Sequence, residues 1–325
     1  MKKYELLLED KIEYKGRTLC RIKALRDFRD VKAGELGGYI EKEDNLSHDG
    51  ECWVYDEAKV FDNAEVYENA LICSNAIVHG SATIKRNAKI FNNAEVCDHA
   101  KVYGEAQIYD NAKVCDNALI MNNAQVYENA IVCGNAIILW NARIHGNAQI
   151  KDNVRILDNA KVYDNAIVYG DAFIYNNAEI CEDAEIFGSA LISGNTCIYG
   201  DAKIYDNARV YESAKICGNA KVHGKATVHG KAHVDEHANI TDGNIIGQVY
   251  QPYKNIFQYQ CTNRLLTAIL TKNDEILYTI GCKQDITEER FIELIHNENG
   301  GLENNPHRNE YLELIKTINF HFKGE

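Results

Sequence analysis

The chain has 325 residues, with 48 acids against 35 lysines and arginines and a formal net charge of −13. That balance, with no basic face to offset it, argues against a nucleic acid polymer or an anionic membrane as the main partner. No apolar run approaches the roughly 18 residues of a spanning helix, acids interrupt "MKKYELLLEDKIEYKG", and the eleven cysteines read as reduced thiols in a cytoplasmic protein.

In chain order, residues 1–51 predict a β-hairpin, "YELLLEDKIEYKGRTLCRI" with its turn near Lys15-Gly16, then a Gly-rich entry segment. From Val54 to Ile240 every sixth residue, 32 in succession, is Val or Ile, and four residues after each such mark stands Ala, with Val154 and Thr196 as exceptions. Six is three periods of two, which suits strands and not a 3.6-residue helix. Each hexad reads as a short strand plus a corner, and the Asn that precedes Ala in 19 of 31 repeats is expected to take the left-handed backbone there. Strands this short cannot bury an apolar side alone, so successive turns must stack, and residues 52–245 form a solenoid. Residues 246–325 predict a small α+β cap. It holds a hairpin around Lys272–Glu275, a helix from Thr287 to Gly300-Gly301, and a second helix from Asn305-Pro306 with Tyr311, Ile315 and Ile318 on one face.

The repeats "NAKVYDNAIVY" resemble the hexapeptide-repeat superfamily. The resemblance implies a mainly β fold, a three-sided left-handed parallel β-helix solenoid of about ten coils, with residue n stacked on residue n+18. The N-terminal β and C-terminal α+β segments would cap its ends. "GELGGYIEKEDNLSHDGECWVYDEA" (34–58) is similar to the entry segment of uncharacterised hexapeptide-repeat proteins of bacteria and phages. One departure is clear: Tyr, Phe, Cys or His follows the mark in 24 of 32 repeats, where the superfamily often has Gly.

Many members of the superfamily are acyltransferases in which a His acts as general base in a cleft between subunits, helped by a loop that interrupts the repeat. The mark never slips here, so no such loop is expected. Of the solenoid histidines, His79, His99, His145, His223, His229, His233 and His237, the four at 79, 145, 223 and 229 fill the slot that elsewhere holds Tyr or Cys and read as outward variants, and no catalytic residue is assigned. The stretch "HGKATVHGKAHVDEHAN" (223–239) does not converge as a metal site needs, because His223 and His229 fall on neighbouring sides and Asp235 is no better placed. Cys97, Cys115 and Cys133 stack at the 18-residue spacing, flanked by His79 and Lys151. Cys73, Cys181 and Cys217 fill the same slot elsewhere, so the ladder reads as filler, with no metal or cofactor expected. Cys282 has no identifiable His partner.

Sorting the outward residues by 18 sets one side apart. Leu119, Met121, Ile137, Leu139, Leu157, Phe173, Tyr175 and Leu191, with Trp140 at the adjoining corner, predict one apolar face, and a patch of that kind marks an interface. The expected function is a non-catalytic solenoid that self-associates as a dimer or trimer through this face and binds a partner or organises an assembly. Its ligand is expected to be a protein or a nucleotide-like molecule, in the manner of a phage factor capturing a host molecule. The alternative is a CoA-dependent acyltransferase of the hexapeptide-repeat type.

Overall fold

A computed structural model describes residues 2–235, 238–241, 243–246, 256–260, 265–270, 275–280, 283–296 and 308–323. The chain divides into two compact units, Met1–Glu182 and Asp183–Glu325.

The first unit opens with strand β1 (Tyr4–Tyr14) antiparallel to β2 (Arg17–Ala24), the turn falling at Lys15-Gly16 as expected. A bulge between Leu7 and Lys11 bends the hairpin. Strand β3 (Leu36–Ile40) pairs antiparallel with β2 and parallel with Lys59–Val60, which converts the hairpin into the first coil. From Trp53 onward two-residue strands recur every six residues, each paired in parallel with the strands eighteen residues away, as in Leu119↔Ile137 and Ile137↔Arg155. The result is a mainly β, three-sided parallel solenoid. Its interior is the sequence pattern itself: Val114, Ala118, Ile120 and Ala124 are all fully buried. Ala fits because an atom beyond Cβ at that slot would collide with the opposite sides, whereas a β-branched mark fills the middle of each side.

The corners differ from expectation. The left-handed residue is not the Asn before Ala but the residue ahead of it, two after the mark, as at Asp98, Asp110, Asp116, Asn122 and Gly134. Asn has a different task. Its side chain donates to the Asn one coil on, giving columns such as Asn75→Asn93→Asn111→Asn129→Asn147 at 3.1–3.3 Å. The left-handed Asp closes the other half of the corner: the Asp98 carboxylate accepts the Asp116 backbone N–H at 3.2 Å, and Asp116 accepts Gly134 N–H at 2.9 Å. At Gly146 (φ 67°) an added Cβ would lie 2.5 Å from the backbone nitrogen of Asp164. Gly146→Ala is therefore expected to cost more than the roughly 1–2 kcal/mol of the left-handed backbone alone. A thermal melt with unchanged stability would contradict this reading of the corner.

In the second unit the coils continue from Glu185–Ile186, with pairs such as Leu191↔Arg209 and Lys203↔Lys221. The period finally shortens, because Ile245 takes the place of the mark opposite Val228, one residue early. A four-stranded antiparallel sheet follows (Ile256–Gln260, Leu265–Leu270, Ile276–Ile280, Lys283–Thr287). Helix α1 (Glu288–His296) starts where Thr287 Oγ1 accepts the Arg290 N–H at 3.3 Å, an N-cap. Helix α2 (Arg308–Lys323) places Tyr311, Ile315 and Ile318 in the same core as Tyr278 and Phe291. The turn residues 272–274 and the boundary signals Gly300-Gly301 and Asn305-Pro306 lie outside the described residues, as does Cys282.

Candidate functional site: a groove beside the apolar face

One side of the first unit carries the expected apolar set. Before the mark the column runs Lys101, Leu119, Ile137, Arg155, Phe173 in register; after it come Tyr103, Met121, Leu139, Leu157 and Tyr175, one coil apart. The apolar and aromatic members are half-buried and Lys101 is exposed; the Phe173 and Tyr175 rings stack at 4.9 Å. Exposed Arg155 interrupts the strip. Leu191 belongs to the second unit, paired with Arg209. Towards the first coils the face turns cationic and aromatic, with Lys85 Nζ 4.3 Å from the centre of the Tyr103 ring. Trp140 sits at a corner with φ 59° and is 46% exposed. A bulky residue in that backbone region is uncommon and costs energy that the fold itself does not recover.

Along one edge of this face runs a groove of about 590 Å³, lined by Ser81, His99, Lys101, Asn117, Leu119, Asn135 and Ile137. Small-molecule sites occupy about 300–1,000 Å³, so the space is adequate, but it is open along its length. His99 stands where the next two coils have Asn117 and Asn135 and the preceding one has Ser81. Above it the amide column is complete, Asn117 donating to Asn135 at 3.2 Å and Asn135 to Asn153 at 2.9 Å. The exposed His99 ring has no hydrogen-bond partner among the described residues. It therefore keeps a ring nitrogen available to a bound molecule.

The other described histidines are engaged. His79 Nε2 lies 2.8 Å from Glu95 Oε1, and its Nδ1 lies 3.9 Å from Asp62 Oδ2. With a carboxylate facing each nitrogen, the ring is tied into the cluster rather than open to a bound molecule. Lys15 at the hairpin tip reaches Glu95 at 3.0 Å and Arg17 reaches Asp62 at 2.7 Å. The cluster clamps the hairpin onto the coil, beneath Tyr14 packed edge-on to Phe61. His145 is a rung between Tyr127 and Tyr163, with ring centres 4.6 and 4.9 Å away. His223 and His229, on different sides as the spacing predicts, contact Asn239 and Asn244.

Burial pushes the Glu95 carboxyl up, but its hydrogen bonds with His79 and Lys15 and the charge of Lys113 outweigh this, and it falls to about 2 from an ordinary 4.5. A depressed carboxyl contributes stability that is present above its unfolded value and lost as pH falls through its folded one. The melting temperature of the wild type is accordingly expected to exceed that of Glu95→Gln near pH 5, the gap closing towards pH 2. A gap independent of pH over this range would contradict the clamp.

Sequence reasoning missed two features. The pairs His79–Glu95 and Cys217–His233 are both sixteen residues apart, the slot after one mark meeting the slot before the mark a coil later. Cys217 Sγ lies 3.4 Å from His233 Nε2, and Asp235 faces the same nitrogen at 3.9 Å. With thiol and acid on one nitrogen this is not a relay, in which the acid holds the opposite one. His99 was named but given no role, because corner width is not written in a spacing, though its column (Ser81, His99, Asn117, Asn135) visibly adjoins Leu119 and Ile137.

These features define a three-sided parallel β-solenoid with capping elements, built from six-residue repeats. Residues 202–215 match the YdcK beta solenoid repeat family. A 43-residue segment is 46% identical to the uncharacterized acetyltransferase YdcK of Escherichia coli K12; the match spans 13% of this chain and 13% of that relative. Among solved structures, the chain aligns with LpxA, a UDP-N-acetylglucosamine acyltransferase from Bacteroides fragilis, at 15% identity and a TM-score of 0.28, covering 71% of this chain and 84% of that one. It also aligns with the Arabidopsis UDP-N-acetylglucosamine acyltransferase at 13% identity and a TM-score of 0.24, covering 77% and 90%. Over these short segments the chain is similar to YdcK-type solenoid proteins, and its repeats resemble the hexapeptide-repeat superfamily. No described helix is long and apolar enough to cross a membrane.

Proposed function

We propose that the protein is an acyltransferase of the hexapeptide-repeat type whose site is the His99 groove, completed when a second copy docks on the adjoining apolar face. The unengaged imidazole in a groove beside an apolar strip carries this reading, and the acetyltransferase named among its relatives supports it. His99 takes the proton from an acceptor hydroxyl or amine as that atom attacks the carbonyl of an acyl thioester. The carbon–sulfur bond then breaks, and the departing thiolate receives the proton back. Lys101 at the groove edge supplies a cation for a phosphate-bearing donor such as an acyl-CoA. Docking on the strip closes the open groove and excludes water from the thioester. The eleven cysteines of the chain suit a reducing, cytoplasmic setting. The test is thioester consumption with a panel of acyl-CoAs, comparing the wild type with His99→Ala.

A second reading is favoured by the unbroken period, since no inserted loop interrupts the coils among the described residues from Trp53 to Ile180. It is the non-catalytic, self-associating solenoid that binds a protein or nucleotide-like ligand, as a phage-type capture factor does. Stabilisation by a nucleotide, with no thioester turnover, would favour it.

A further inference from the structure

The column that continues from His79 holds three thiols in succession, Cys97, Cys115 and Cys133, and none of the acyl-transfer chemistry uses them. We propose that Cys97 and Cys115 form a binding site for a thiophilic monovalent d10 ion, Cu(I), bridged between adjacent coils.

Cys97 is 3% exposed, while Cys115 is half-buried and gives an ion a way in. Donor atoms of Cys97, Asp98 and Cys115 lie within 4.8 Å of one another, as do those of Cys115, Asp116 and Cys133. The sheet itself selects the ion. Parallel strands hold stacked side chains about 4.8 Å apart and pointing the same way, so four donors cannot converge on a tetrahedral centre. Two thiolates stacked side by side one coil apart can hold one ion between them: at the roughly 2.3 Å of a zinc–thiolate bond, two metal–sulfur bonds laid end to end span about 4.6 Å. Low-coordinate binding by soft thiolates suits Cu(I).

The local charges agree. The Cys97 thiol is pushed up by its hydrogen bond to Cys115, then by burial and the Asp98 carboxylate 3.4 Å away. The same hydrogen bond holds Cys115 below the usual thiol range, with Lys113 adding in that direction. One Cu(I) enters, the two thiol protons leave to solvent, and a bis-thiolate complex of charge −1 remains. The Lys113 ammonium beside it, 3.6 Å from Glu95, balances that charge.

The test titrates the reduced full-length protein with Cu(I) against bicinchoninate, reading the coloured chelate and the thiolate-to-copper absorption band. The wild type is expected to withdraw about one equivalent. Cys115→Ser is expected to withdraw none and Cys97→Ser to bind at least about tenfold more weakly, while Cys73→Ser, on another side, matches the wild type. A thermal melt verifies that each variant is folded. Failure of the wild type to withdraw copper, or an equal loss in Cys73→Ser and Cys115→Ser, would overturn the site. Loss of acyl transfer in His99→Ala bears on neither outcome.

Discussion

Replacing His99 by alanine is expected to lower kcat for acyl transfer about 10²- to 10⁴-fold, the usual contribution of a positioned general base, with little change in KM for the donor. The ring is exposed at a corner and has no hydrogen-bond partner among the described residues, so stability should scarcely move. His79→Ala is the counter-experiment. It breaks the Lys15–Glu95–His79 clamp and lowers the melting temperature, yet leaves kcat near the wild-type value. The opposite pattern, activity surviving His99→Ala and vanishing in folded His79→Ala, would move the site to the hairpin junction. Equal activity in all three proteins would remove histidine from the chemistry.

The double substitution Ile137→Asp with Leu139→Asp is expected to convert the self-associated protein into monomers and to abolish turnover with His99 untouched. Both residues point outward on the strip. As an isolated chain the variant keeps its coil, because the interior contacts of Ile138 and Ala136 are unaltered. In an interface the two new carboxylates would lose their water, at several kcal/mol per unpaired ion. That exceeds what a modest apolar contact returns at about 25 cal/mol per Å². Gln125→Asp, on another side, is the control and should change neither mass nor rate. Light scattering reads the first effect and thioester consumption the second. A variant that stays oligomeric with an intact fold would detach the strip from assembly.

How much of this was legible differs by scale. The solenoid was written in two letters, the Val/Ile mark and Ala, because a three-sided tube has only two kinds of interior position. The 18-residue register followed once three sides were granted, and it sorted Leu119 with Ile137 and Cys97 with Cys115. The corner was misassigned for a physical reason: Asp and Asn both tolerate the left-handed region, so their order alone is ambiguous. Glycine held the answer, since Gly80, Gly104, Gly134 and Gly146 all fall two after the mark and no repeat has Gly just before Ala. The groove was less accessible. Its width depends on how the corner turns between Ser81 and Lys101, and the freedom of His99 only emerges once the partners of His79, His145, His223 and His229 are known. Trp140 was expected at the corner beside the strip, and its left-handed backbone, shared with Asp and Asn at the other corners, only emerges from the structure.

The site and the assembly are joined in one claim, that the groove works only when a second copy covers the apolar face. Specific activity measured against protein concentration, across the self-association transition followed by light scattering, tests it directly. The rate per chain should rise in step with the oligomer fraction and stay at background in Ile137→Asp/Leu139→Asp at every concentration. A rate per chain that is constant through the transition, or absent on both sides of it, would contradict the account.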